Sequence, residues 1–268
     1  MTRAGIDTTR ANVARTYDYL LGGIESYAAD REQAADLLRI CPSLGVVALE
    51  NRFLLARAVT WAAGQSMNQF IDLGAGMPLQ KARAGVLEDI HVTALAASPS
   101  ARVAYVDNDP LILARSRVFR APASGVAVSA ADLTDPDVVL ADLGLRAVIN
   151  LAQPACFIFG LVLGLIPAPD ARDVVAGYVR RAAPGSCVVI SCGRCDDEAL
   201  SAKLSKAYTA AKVYNHTPAE IEGFLDGLEH VPPGVVPAQN WRGGRDGVPV
   251  APPGSVYVLA GVARKPSA

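Results

Sequence analysis

Phe70-Ile71-Asp72-Leu73-Gly74-Ala75-Gly76-Met77-Pro78 decides the reading of this chain: an apolar run delivers an acid and two closely spaced glycines to the end of a predicted strand. Glycine accepts backbone torsions and close approaches that a side chain forbids, and parallel α/β sheets take their ligands just beyond their strand ends. The stretch reads as a cradle for a nucleotide-type cofactor.

Outward from it, the apolar run Arg102-Val103-Ala104-Tyr105-Val106 ends in Asp107-Asn108-Asp109-Pro110, and Gly125-Val126-Ala127-Val128-Ser129 leads to Asp132-Leu133. An acid at the end of the second strand can accept both ribose hydroxyls of any nucleoside, and Asp132 is placed to meet an adenine amino group. Three strand-end acids in succession suit an adenosine bearing a sulfonium better than a pyrophosphate. The dinucleotide fingerprint also asks for a third Gly or Ala where this chain has Leu79. S-adenosylmethionine (SAM) is therefore the expected cofactor, ahead of NAD, and no metal is expected.

The flanking pattern gives the architecture. From Thr8 to about Ala63 the spacing is helical: Val13, Tyr17, Leu20 and Leu21 recur up to Gly22-Gly23, Asp30 can cap a second helix, and a third runs from about Ser43 to Ala63. Residues 1–66 are expected to form a helical lid or collar, and residues 67–268 a catalytic domain. In that domain strands alternate with helical segments, adding Ala155 to Phe159 and Cys187 to Ser191, which implies a doubly wound parallel sheet. Two closing strands, His230 to Val236 and Ser255 to Val262, are joined by a Gly/Pro-rich loop rather than a helix, so they should form an antiparallel hairpin. The expected fold is α/β, Rossmann-like, of the class I methyltransferase kind, with seven mostly parallel strands.

Bulk properties agree. The 268 residues suffice for one large domain with an appendage, and a net charge of -1 with mixed signs leaves no footprint for nucleic acid. The longest apolar tract, Ala155 to Ala168, is too short to span a bilayer and contains Pro167. The N-terminus lacks the apolar core of a signal peptide, so a cytoplasmic location is expected. The five cysteines are read as small hydrophobes, including Cys192 and Cys195, whose spacing has no second pair or nearby His to support a metal or redox role. The partner expected is a small methyl acceptor, and the apolar N-terminal helices make a homodimer reasonable.

A resemblance sharpens this. Arg15-Thr16-Tyr17-Asp18-Tyr19-Leu20-Leu21-Gly22-Gly23, Tyr27-Ala28-Ala29-Asp30-Arg31, Asn51-Arg52-Phe53-Leu54, the glycine stretch, Val106-Asp107-Asn108-Asp109-Pro110, Phe224-Leu225-Asp226-Gly227-Leu228, Pro233 to Pro237 and Trp241-Arg242 resemble a bacterial S-adenosyl methyltransferase family first catalogued as a domain of unknown function. The likeness covers nearly the whole chain. It implies that Asp72, Gly74, Gly76 and Pro78 pass beneath the methionine portion, that Asp107 holds the ribose diol, and that Asn108, Asp132 and Leu133 flank the adenine, with Phe159 and Gly160 at the next strand end. It also implies that the helices bearing Tyr17, Asp18 and Gly23, and Asn51 and Arg52, close over the cofactor. Arg15 and Arg52 are candidates to grip the methionine carboxylate through two hydrogen bonds.

Departures from the family pattern bear on the acceptor. Ile24 stands where a Lys is usual, Gly164 where a His is usual after Leu163, and Ala75 and Leu79 where threonines are common, while residues 80–87 read as an insertion. These changes predict a roomier, less polar site and an apolar or aromatic acceptor, for example an indole ring carbon or nitrogen in a tryptophan-derived metabolite of secondary metabolism. Ile24, Tyr17, Tyr27, Leu163, Gly164, Phe224 and Trp241 are the residues expected to face it. Methyl transfer from a sulfonium asks the protein mainly for alignment. If a proton must move, Tyr27, Tyr17 and His91 are the candidate groups.

Overall fold

The computed structural model describes residues 7–79, 88–243 and 250–267, so the segment read as an insertion lies outside the described residues. Five parallel strands form the body of the sheet: β1 (Gln69–Leu73), β2 (Arg102–Asp107), β3 (Val126–Ala130), β4 (Cys156–Gly160) and β5 (Cys187–Arg194). Two short segments, β6 (Glu229–His230) and β7 (Val236–Pro237), both pair antiparallel with β8 (Tyr257–Arg264), which itself runs antiparallel to β5. The order is β3-β2-β1-β4-β5-β8-β6, with β7 beside β8. Eight strands thus stand where seven were expected, because Val231-Pro232-Pro233-Gly234-Val235 interrupts the edge strand: proline has no N–H for the ladder. The order reverses between β1 and β4, which opens a crevice at their carboxyl ends.

Both faces of the sheet are covered, as a parallel sheet requires. Ile71, Leu73, Val106, Phe157, Phe159 and Ile190 point into one core, and their neighbours Phe70, Val103, Tyr105, Ile158 and Val189 into the other. The helices are α1 (Val13–Leu20), α2 (Ala28–Ile40), α3 (Leu44–Gly64), α4 (Ile90–Ala97), α5 (Pro110–Phe119), α6 (Pro136–Ala141), α7 (Leu143–Val148), α8 (Ala168–Arg181), α9 (Glu198–Ala207) and α10 (Pro218–Gly223). Leu54, Leu55, Ala58 and Val59 of α3 join the second core. The apolar face of α3 therefore packs on the chain's own sheet.

Polar groups fasten α1 over the crevice. Asn12 caps it, accepting from the Ala14 N–H at 2.9 Å and the Arg15 N–H at 3.1 Å, and its amide donates to Asp109 at 2.8 Å. Asp109 in turn caps α5 through the Leu111 and Ile112 N–H groups. Asp30 is fully buried in the first turn of α2 and caps that helix from its third position: it accepts from the Tyr27 N–H that precedes the helix, and also from the Asn12 N–H and from Arg15 Nε at 2.7 Å. The buried Arg15 also donates to the Asp7 and Arg10 carbonyls. The Arg15 and Asp30 charges removed from water at this corner are thus partnered by each other and by backbone groups.

Trp241 is also a core residue. It is 0% exposed, meets Trp61 edge to face with ring centroids 6.0 Å apart, and its backbone oxygen accepts from Arg57. Trp241→Ala should cost about 3–5 kcal/mol in urea unfolding, in line with aromatic truncation in a core, and leave SAM affinity of the folded protein unchanged.

Candidate cofactor and acceptor site

The glycine loop is held from two sides. Its donors turn to β2: the Gly74 and Ala75 N–H groups donate to the Val106 carbonyl at 2.9 and 3.0 Å, and the Gly76 N–H to Asp107 Oδ2 at 3.0 Å. Its acceptors turn to Arg120, which donates to the carbonyls of Ala75, Gly76 and Met77 at 3.4, 2.9 and 3.3 Å. Arg120 is 0% exposed, pairs through two nitrogens with Asp89 and lies 4.2 Å from the Tyr105 ring centroid. Gly74 must be glycine: φ is +74°, and an added Cβ would come within 2.6 Å of Val162. With the Gly74, Ala75 and Gly76 donors spent on β2, the loop offers them to no pyrophosphate, and the NAD reading loses its basis.

Above the loop lies a cavity of about 640 Å³, within the usual range for small-molecule sites. Asp72, Gly74, Ala75, Gly76, Asp107, Asn108, Asp132, Leu133 and Gly160 line its inner half, and Tyr17, Arg52 and Gly164 border it too. Burial raises the Asp72 carboxyl from its ordinary value to about 6, outweighing the pull of Arg120 and Arg52. The same cause raises Asp107, although the Asp109 and Gly76 N–H groups pull it down. The Asn108 amide donates to Asp132 at 3.2 Å, and the Thr134 N–H and hydroxyl hold the Asp132 carboxyl low. Arg52 is 8% exposed, its charge lies 5.5 Å from the Tyr17 ring centroid, and its Nε has no hydrogen-bond partner.

Tyr17 is a joint of the lid. Its hydroxyl donates to the Ala48 carbonyl at 3.0 Å and accepts from the Asn51 amide at 2.9 Å. Asn51 accepts from the Ser191 hydroxyl at 2.7 Å, and Ser191 accepts from the Leu161 N–H at 3.0 Å. Burial pushes the Tyr17 phenol up, so it is no base at neutral pH.

Several residues expected at the site do not line the cavity. Arg15 is spent on Asp30, as described. Tyr27 is 37% exposed at the start of α2, its ring under the Arg15 guanidinium. His91 is buried beside β2, with Nδ1 2.9 Å from the Tyr105 hydroxyl, and burial holds its pKa low. Asp18 accepts from the Glu25 N–H, and Gly23 packs so closely that a Cβ would strike the Asp18 carboxylate. Together they shape the Gly22-Gly23 turn. Ile24 is 72% exposed to solvent. Pro78 is buried past the loop, Phe159 and Leu163 point into the first core, and Phe224 packs there against His216. Trp241 belongs to the second core.

The outer wall comes instead from a part of the chain that carries no motif. Ser201, Leu204, Ser205 and Tyr208 share one stripe of α9 and its cap, and Val213, Tyr214 and Asn215 follow. Across from them stand Leu20, Leu37, Leu44 and Val47. The one signal available was spacing: 201, 204, 205 and 208 recur at helical intervals. Among the described residues no group of three or more His, Cys, Asp or Glu is arranged to hold a metal, and no helix is long and apolar enough to cross a membrane.

Comparison with known proteins supplies the family. The model for the S-adenosyl methyltransferases matches residues 1–266. The chain belongs to this family. A candidate methyltransferase of Thermobifida fusca is 32% identical over 99% of both chains, with a TM-score of 0.88. A DUF574 family protein of Streptomyces avermitilis is 31% identical over 98% of this chain and 100% of its own, with a TM-score of 0.89. At 11% identity, magnesium protoporphyrin IX methyltransferase of Synechocystis covers 93% of each chain with a TM-score of 0.53, a likeness of fold alone. No curated protein sequence matches the chain.

The cavity of this S-adenosyl methyltransferase fits the SAM cofactor of its family. Arg52 has an unpartnered, buried Nε; carboxylates end β1 and β2, and Asp132 follows β3; the loop donors are already engaged. Asp72 makes no hydrogen bond through its side chain to any described residue, and the pull of Arg120 and Arg52 does not offset the cost of its burial. Because its folded value lies above 3.8, ionisation costs the empty fold stability that is present below pH 4 and lost as pH rises through about 6. Asp72→Asn should therefore melt higher than the parent above pH 6, equal to it near pH 3.5, and bind SAM at least tenfold more weakly at pH 7.5 in calorimetric titration.

Proposed function

We propose that the protein transfers the methyl group of SAM to a small, uncharged, apolar or aromatic acceptor held between α9 and the N-terminal helices. The observation that supports this most is the outer wall of the cavity: Leu20, Leu37, Leu44, Val47, Leu204, Val213 and two tyrosines. Its one charged side chain, Arg194, is paired with Asp196 at 2.9 Å and donates to the Asn215 and His216 carbonyls. An ionised acceptor would find no counter-charge there to offset its desolvation.

SAM supplies a methyl group made electrophilic by a sulfonium. What the chain does is hold and exclude. In this reading Asp107 accepts from the ribose hydroxyls, the linked Asn108 and Asp132 take the adenine edge beside Leu133, and Arg52 grips the methionine carboxylate. Asp72, once ionised, favours the cationic end of the molecule. The Tyr17–Asn51–Ser191 chain fixes α1 and α3 over the crevice, which keeps water from the reacting atoms. Tyr17 keeps its proton, no histidine lines the cavity among the described residues, and this reading gives the cavity carboxylates to the cofactor, so the acceptor nucleophile is one that needs no base, such as an electron-rich ring carbon or a neutral ring nitrogen.

Titration calorimetry should show binding of SAM and S-adenosylhomocysteine and none of NAD. Turnover of methyl-labelled SAM against paired acceptors, indoles and quinolines with and without a carboxylate, should favour the uncharged member at least tenfold in kcat/KM. Turnover of the carboxylates alone would overturn the proposal. Arg52→Met should weaken SAM binding without changing the ranking of acceptors.

A further inference from the structure

Three phenols border the cavity, and the hydroxyl of one of them is already engaged. Tyr17 is engaged with Ala48 and Asn51. Tyr214 lies half-buried and its hydroxyl makes no hydrogen bond with any described residue, but its ring is held outside the α9 stripe, stacked on His216 with the Lys212 ammonium 4.8 Å from its centroid. Tyr208 closes the inward stripe of α9, and its hydroxyl makes no hydrogen bond with any described residue. Burial pushes that phenol up to about 12, so it keeps its proton at neutral pH and can donate but not act as a base. Among the other polar side chains of this wall, Asn215 is bonded to the Cys195 backbone in both directions and Arg194 is paired. Ser205 is exposed, and Ser201 is partly exposed, as Tyr208 is.

An unpaired donor in an apolar chamber gains a full hydrogen bond from a ligand that brings an acceptor atom, and none from an isostere that lacks it. We infer that Tyr208 selects the methyl acceptor, donating from its phenol to a carbonyl, ether or pyridine-type ring nitrogen on an otherwise apolar molecule; this rests on the functional reading above. It assigns the acceptor one accepting atom at its α9 end.

The test uses the full protein saturated with S-adenosylhomocysteine and two probes that differ at one carbonyl, 2-acetylnaphthalene and 2-ethylnaphthalene. The ketone should bind about 3- to 10-fold more tightly, the size of one neutral hydrogen bond. Tyr208→Phe should abolish that preference while keeping S-adenosylhomocysteine affinity, and Tyr214→Phe should leave it intact. Equal affinities in the parent protein, or a preference that survives Tyr208→Phe, overturns the role of Tyr208 alone. Loss of S-adenosylhomocysteine binding in Tyr208→Phe makes the residue structural and also overturns it. Failure of both naphthalenes to bind the parent protein overturns the apolar-acceptor reading, and the inference with it.

Discussion

A single buried guanidinium sets the shape of the cofactor cradle. Arg120, 0% exposed, gathers three successive carbonyls of the glycine loop and the Asp89 carboxylate. A buried cation is tolerated only when its donors are matched, and here the matching partners are the loop itself. The carbonyls point down to Arg120, the Gly74, Ala75 and Gly76 N–H groups point sideways to β2, and the upper surface of the loop is left to meet a ligand by contact rather than by hydrogen bond. That arrangement separates this loop from a phosphate-binding turn built from similar residues.

The lid depends on the cradle in turn. Asn12 joins the cap of α1 to Asp109, which caps the helix following β2, and Asn51 joins α3 to Ser191 on β5. The first link reaches the end of β2 beside the cavity, and the second reaches the middle of β5. The helices are therefore placed by the same sheet that carries the cofactor acids, and an acceptor chamber arises between them and α9 without needing a dedicated catalytic group. An enzyme whose cofactor carries the reactivity can be built this way.

Much of this was legible in the residues. The glycine stretch, Asp107-Asn108 and Asp132 follow local rules, continuous apolar runs leading to acids, and those rules put them at the carboxyl edge of one sheet, where the structure has them. Side chains whose role depends on a distant partner were not legible. Arg15 and Arg52 look alike in sequence, yet Arg15 is consumed by Asp30 and only Arg52 reaches the cavity. Trp241 and Phe224 read as rim aromatics but fill the cores, since nothing in their neighbourhood reveals how much apolar surface the closing strands leave to cover. The acceptor wall of α9 lay outside every motif.

By itself the sequence determined the sheet, the closing antiparallel strands, the identity of the cradle residues and, through their likeness to the S-adenosyl methyltransferases, the family. These are properties of spacing, glycine and strand-end charge, which act over a few residues. Only the tertiary structure decided which arginine reaches the cavity, which tyrosine hydroxyl is already spent and how apolar the chamber is. Each of those is a matter of hydrogen-bond partners and burial drawn from segments far apart in the chain, and a polar group's availability is known only when its competitors have been placed around it.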